Sequence, residues 1–290
     1  MTLNKCETSV WSNEQLSLGE GPLSHHLRSS LIWFDIFDSA IYERAFGGHE
    51  TRKFEFPVLP SAAGILDKKR ILVATEADFR VLDLDTGDTE ITMKFPEDRH
   101  MRSNDGRVHP SGAFWIGTMA KDDKGGVGSI YRYFKGVLSV LIEGVVTPNS
   151  ICFTQDGTTA YYTDTPRRVI WKLPTDPSTG EIIGEREVHV GMQDDSKGLP
   201  DGSIVDAEGN LWNCRWGGSS LNVYSPMGGL VSSYPLPVTQ PTCPAFIGEE
   251  LNQIVTTSAR IGLRDPKKED GSVIRIDTPV KGMKEPTVKL

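Results

Sequence analysis

A short apolar run ending near Thr or Asp recurs six times along the 290-residue chain, and this periodicity constrains the fold more than any other feature. The copies are LIWFD from Leu31, ILVAT from Ile71, FWIGT from Phe114, AYYTD from Ala160, LWNCR from Leu211 and IVTTS from Ile254. Their starts lie about 40 to 51 residues apart, the size of one propeller blade. Gly-containing turns precede several of them: HPSG before Phe114, TQDG before Ala160, DAEG before Leu211. Such turns join neighbouring antiparallel strands. A further strand follows each copy, read as AIYERAF, FRVLDLD, GSIYRYF, RVIWKLP, SLNVYSP and GSVIRID, with period-two alternation in several. Six all-β units in series predict a radial array: an all-β, six-bladed β-propeller with four-stranded blades, occupying residues 1–290 as a single domain. The alternative arrangement of such repeats is an open β-solenoid. A closed ring needs a seal, and the strand-like segment Glu7–Trp11 is expected to pair with the last blade near Gly271–Asp277.

Composition narrows the partners. Thirty-one basic against 39 acidic residues give a net charge of −8, which disfavours nucleic acid because a nucleic-acid binder needs a basic face. Most of the excess carboxylates read as solvated surface. Cys6, Cys152, Cys214 and Cys243 form no CxxC pair and are expected to be free thiols, mostly buried. The opening MTLNKCETSVW lacks the apolar run of a secretory signal, and no stretch approaches the ~18 apolar residues of a membrane span. A cytoplasmic protein without a membrane partner is the expectation.

In a propeller the strand before each turn is the innermost of its blade, and its first residues face the central channel. Counting back about ten or eleven residues from each copy reaches Glu20, the Pro60–Ala62 stretch, Asn104, Asn149, Asp201 and the Thr242–Cys243 pair. Four of these six places carry an oxygen donor, in the settings GEGP, SNDG, TPNS and LPDG. Each tripeptide alone is an ordinary turn former. Their coincidence in four separate repeats points to a shared axial site for a hard divalent cation. Arg102, two residues before Asn104, is placed to grip substrate hydroxyls or a carbonyl at the mouth of the pocket, against the plainer reading of a surface ion pair. Asp122 reads equally well as a sugar-binding carboxylate or a solvated loop residue, and Lys121 as surface. The adjacent His25 and His26 are poorly disposed to face one ion; His100 and His109 flank the Asn104 segment. No GxSxG elbow, Walker pattern or GxGxxG following a strand occurs.

These segments resemble the senescence marker protein, gluconolactonase and regucalcin family. The resemblance covers nearly the whole chain and is carried by LGEGP with LIWFDI, RSNDGRVHPSGAFWIGTM, TPNSICFTQDGTTAYYTDT, LPDGSIVDAEGNLWNCRWGG and the late TTSAR. It implies a six-bladed propeller that hydrolyses sugar (aldono)lactones with one divalent metal ion, of which Ca, Zn, Mg, Mn and Fe(II) all suit such ligands. It implies metal ligands at Glu20, Asn149 and Asp201, with Asn104 at the metal or in direct contact with substrate, and sugar contacts at Arg102 and Asp122. The sequence departs from the family in carrying Asp122 where Glu is usual, and Leu23-Ser24 where an aromatic usually follows GP. The expected chemistry is attack of water on the lactone carbonyl with Asp201 as general base, the cation's charge keeping both carboxylates ionised. A calcium-binding protein without turnover and a phosphotriesterase-like hydrolase are the two other readings. A monomer or weak homo-oligomer acting on a small-molecule sugar lactone suffices.

Overall fold

The computed structural model describes residues 6–96, 100–122, 127–192 and 197–290. The first blade is β2 (Gly19–His25), β3 (Ser30–Asp35), β4 (Ala40–Ala45) and β5 (Arg52–Glu55); a preceding strand, β1 (Thr8–Ser12), belongs elsewhere. The second is β6 (Pro60–Ile65), β7 (Arg70–Thr75), β8 (Asp78–Asp83) and β9 (Thr89–Lys94). The third is β10 (Met101–Val108), β11 (Phe114–Ala120), β12 (Gly128–Phe134) and β13 (Val137–Val145). The fourth is β14 (Pro148–Phe153), β15 (Thr159–Asp164), β16 (Val169–Pro174) and β17 (Glu187–Gly191). The fifth is β18 (Leu199–Val205), β19 (Leu211–Trp216), β20 (Ser220–Tyr224) and β21 (Leu230–Pro235). The sixth combines β22 (Pro241–Ile247), β23 (Gln253–Ser258) and β24 (Val273–Ile276) with β1. Each blade is a four-stranded antiparallel sheet, and the architecture is the all-β six-bladed propeller expected from the repeats. No helix among the described residues is long and apolar enough to cross a membrane.

The ring closes as predicted. β1 pairs antiparallel with β24, with Thr8 opposite Ile276 and Val10 opposite Ile274. Closure removes the free edge that β24 would otherwise present.

The hydrophobic core is divided among six seams, one between each pair of neighbouring blades. Phe34 and Ile41 of the first blade meet Ile71 and Leu82 of the second, and Phe79 meets Phe114 across the next seam. Trp115 packs with Phe153, Cys152 with Val205, Trp212 with Phe246, and Trp33 with Ala245 to complete the circle. A blade therefore buries both faces of its middle strands. This is why β3 reads as the continuous run SLIWFD, buried throughout, instead of alternating. Large side chains fill the diverging outer space: Trp33 stacks on Tyr42 at 5.7 Å, Tyr162 on Trp171 at 5.2 Å and Trp212 on Tyr234 at 5.6 Å. Since the apolar area is spent between blades, the hub is left to polar groups.

The last dozen residues form a strap across the base, where the inner strands end. Ala207 N–H donates to Lys281 O at 2.8 Å and Gly282 N–H to Leu251 O at 2.8 Å. Further on, Thr287 bridges to Ile65, Val288 N–H donates to Ile65 O at 2.7 Å, and Lys289 N–H to Gly112 O at 2.9 Å. The strap thus touches the fifth, sixth, second and third blades in turn.

Trp33 is fully buried and makes an edge contact with Trp11 of β1 besides its stack on Tyr42. Trp33→Ala should lower unfolding free energy by about 3–5 kcal/mol in urea titrations. Ile183→Ala, at a 64% exposed position, should change it by less than ~0.5 kcal/mol.

Candidate active site

The six inner strands share a defect that builds the site. Their pairing with the next strand shifts register between Glu20 and Leu23, Pro60 and Ala62, Ser103 and Gly106, Asn149 and Cys152, Pro200 and Ser203, and Pro241 and Pro244. A bulge inserts residues and re-aims side chains. Here it occurs at the same level of all six strands, around the hub. Gly21 sits in the bulge at φ 54°, and a Cβ there would stand 2.3 Å from Ser61 O, so no other residue fits. Ser150 adopts the equivalent left-handed conformation at φ 58°.

Glu20, Asn104, Asn149 and Asp201 are all buried at these bulges, on the first, third, fourth and fifth blades. Asn104 Nδ2 donates to Asn149 Oδ1 at 2.9 Å and to Pro148 O at 2.9 Å. Asn149 Nδ2 donates to Thr165 Oγ1 at 2.9 Å, and Thr165 Oγ1 passes its proton to Pro200 O at 2.9 Å. This relay fixes the orientation of the Asn149 amide, with its nitrogen toward Thr165 and its oxygen toward Asn104. The Glu20 carboxylate accepts from Gly21 N–H at 3.0 Å. The backbone beneath Asp201 is held by Ser150 Oγ, which donates to Asp201 O at 2.5 Å, and by Asn213 Nδ2 at 3.0 Å. The other two bulges carry hydroxyls that tie blades together: Ser61 Oγ to Ser103 Oγ at 2.7 Å, and Thr242 Oγ1 to Gly19 O at 2.5 Å.

Arg102 is buried, which removes the surface ion pair as an explanation for it. Its Nη1 donates to Asn104 Oδ1 at 2.8 Å and to Ser103 O at 3.0 Å, and its guanidinium lies 5.6 Å from the ring centre of Phe37. Asp122 lies exposed just beyond β11, at the end of the blade that also carries Arg102. Lys121 beside it is an ion-pair partner of Glu76 on the second blade. The histidines stand apart from the four donors. His25 and His109 lie toward the opposite ends of β2 and β10, and His109 is held by Ser111 Oγ and Gly157 O. The His100 backbone oxygen accepts from Lys121 N–H.

Electrostatics identify the hub as a place short of positive charge. Burial, then the neighbouring Asp105, pushes Glu20 up to about 8; the Gly21 amide and Arg102 oppose this. Asp201 is also held well above the usual carboxylate range, first by burial and then by Glu20 and Asp105. Burial draws Arg102 down to about 10 against the pull of Glu20 and Asp201. One guanidinium, Arg102, therefore faces the two crowded carboxyls of Glu20 and Asp201, and a second, Arg107, acts on Asp105. The chain alone biases the carboxyls toward protonation, the opposite of the ionisation a bound cation would enforce. No cluster of three or more His, Cys, Asp or Glu arranged to hold a metal occurs among the described residues. The donor set is instead two carboxylates with two amides, all oxygen ligands of the kind a hard divalent cation takes, so the residues present fit such an ion.

A family model described as SMP-30/Gluconolactonase/LRE-like region matches residues 18–260, a span that holds all four donors, Arg102 and Asp122. The chain belongs to this family. A Rhizobium meliloti (strain 1021) protein named a sugar lactone lactonase is 35% identical over 277 residues, covering 94% of each chain. The L-arabinolactonase of Azospirillum brasilense is 30% identical, covering 91% of this chain and 88% of its own. The solved structure of a calcium-binding protein, regucalcin, from Agrobacterium tumefaciens superposes with a TM-score of 0.97 at 35% identity, covering all of both chains. Against this SMP-30/gluconolactonase background, Thr165, Asp105, Phe37 and Ser150 are the hub contacts that sequence reading passed over. Asp105 stands within SNDG, where the spacing from Phe114 points to the Asn104 amide alone as axial.

Glu20 binds a proton more tightly in the folded chain than in the unfolded one, so its contribution to stability is full below the unfolded value near 4.5 and is lost as pH rises toward about 8. Cation-free protein should therefore show a falling urea midpoint from pH 5 to pH 8. Glu20→Gln should flatten that slope, as should saturating divalent cation in the parent.

Proposed function

We propose that this protein hydrolyses a sugar (aldono)lactone to the aldonic acid, as a hydrolase acting on carboxylic esters, with one divalent cation held at the hub by Glu20, Asn149 and Asp201. The observation that carries the reading is the convergence of two carboxylates and two amides from four blades on one buried, cation-deficient spot. The names carried by its relatives, sugar lactone lactonase and L-arabinolactonase, support the substrate class.

When bound, the cation would supply Lewis-acid polarisation of the lactone carbonyl and neutralise the charge that develops on its oxygen. The chain's own groups do the rest. Asp201 is the general base that takes a proton from the attacking water; beside a bound cation its carboxylate would stay ionised, the form that can accept that proton. Asn104 spends both amide hydrogens on Pro148 O and Asn149 Oδ1, so its Oδ1, already accepting from Arg102, is left to accept from a substrate hydroxyl. The Arg102 guanidinium, backed by Phe37, grips ring hydroxyls with the donors it does not spend on Asn104 and Ser103. Asp122 is a further sugar contact at the rim.

The relative described as a calcium-binding protein supports a second reading, cation binding without turnover. A panel of pentono- and hexonolactones, assayed with chelated protein reloaded with Ca, Mg, Mn, Zn or Fe(II), separates the two. Hydrolysis of at least one lactone, lost on chelation and restored by an ion, is expected; tight cation uptake with no turnover on any lactone leaves only the second reading. Asp201→Ala and Asn149→Ala should each cut kcat at least ~100-fold with folding retained, and full turnover by either variant contradicts the assignment.

A further inference from the structure

Beneath the proposed cation site, charged side chains continue along the axis to the strap. Asp105 follows Asn104 on β10, is buried, and lines the same small void as Gly21, the residue after Glu20. One of its oxygens, Oδ2, accepts from Ile151 N–H of the next blade at 2.8 Å, which fixes the carboxylate in place. Arg107, two residues on along β10, is buried and acts on Asp105 from below. Arg107 in turn forms an ion pair with Glu285 of the strap, also buried. Carboxylates, guanidinium and carboxylate thus alternate from the hub to the base. A void of about 10 Å³ bounded by Gly21, Asp105, Arg107, Cys243 and Glu285 connects the two ends of this column. It has room for about one water, so the charges near the hub are poorly screened, whereas Arg107 and Glu285 also line a cavity of about 570 Å³ beside the strap and are partly screened from the base.

We infer that Glu285 and Arg107 are positioning residues for the axial site: the strap carboxylate neutralises Arg107, so that Asp105, Glu20 and Asp201 present their full negative charge to a divalent cation. The inference rests on the cation reading given above. An arginine stays charged in any protein environment. Stripped of Glu285, it would turn its whole charge on the hub and oppose the incoming ion. Glu285 lies outside the family-matched span and 265 residues from Glu20, yet closes the same electrostatic column. A structural plug and a charge balance make opposite forecasts when both members of the pair are neutralised. A plug, once damaged, is damaged further by a second substitution. A balance is restored, because the guanidinium that repels the ion has gone as well.

The test is isothermal titration of chelated, full-length protein with Ca²⁺ alone and with Mn²⁺ alone. Glu285→Gln should weaken binding about tenfold, a modest fraction of the Coulomb term once the partial screening at the base is allowed for. Glu285→Asp, which keeps the charge, should stay nearer the parent. The double variant Arg107→Gln with Glu285→Gln should return toward the parent affinity or exceed it. A Glu285→Gln protein that binds as tightly as the parent overturns the inference, as does a double variant weaker than the single one. If thermal melts show either Gln variant unfolded, Glu285→Asp is the arbiter: affinity within threefold of the parent supports the balance, and a tenfold loss overturns it. A parent that binds neither ion overturns the cation reading itself and this inference with it.

Discussion

Two like charges buried side by side, Glu20 and Asp201, are the constraint on which the rest of this structure turns. A folded chain ordinarily avoids such a pair, because both desolvation and mutual repulsion oppose ionisation. Here the geometry of the ring imposes it. Six inner strands meet at the hub, each broken at the same level by a bulge, and whatever side chains stand at those bulges must share one small space. The amide relay from Asn104 through Asn149 and Thr165 to Pro200 O then holds the neighbouring donors at fixed angles. The relay also ties the third, fourth and fifth blades together. Both features make sense in a site waiting for positive charge.

The division of labour within the fold explains how such a site is tolerated. Apolar burial is carried by six inter-blade seams, and each seam is complete with residues from two adjacent sheets. Substituting a hub residue removes little from any of them. Hydroxyls at the remaining bulges, Ser61 and Thr242, spend their hydrogen bonds on stitching neighbouring blades instead of joining the donor set. Stability therefore resides at mid-radius and chemistry at the centre, with few residues asked to do both.

Most of the architecture was legible because the repeat is physical: strands sandwiched on both faces read as unbroken apolar runs, and LIWFD, FWIGT and LWNCR mark the second strand of their blades without ambiguity. Counting back from them located Glu20, Asn104, Asn149 and Asp201, and the pairing of β1 with β24 followed from the need to close a ring. The supporting contacts were not legible. Thr165 sits in a 3-10 turn whose position over Pro200 depends on the angle between two blades, which no local pattern encodes. Arg102 could be read as a surface residue because the depth of the hub is a property of the assembled ring. The strap was invisible for the same reason: KGMKEPTVKL has no strand periodicity, and its backbone is held by isolated bonds to four separate blades.

The sixth blade is made from both ends of the polypeptide, and this bears on how the molecule comes into being. During translation the first strand emerges with nothing to pair with and must wait for β24, some 260 residues later. Five sheets can collapse locally as they leave the ribosome, but the join that turns an arc into a circle has the longest loop to close and so the largest entropy to overcome. Enclosure of the hub, whose donors come from blades one, three, four and five, is thus withheld until synthesis is essentially finished. A nascent or truncated product would carry the donors but not the enclosure that brings them into register.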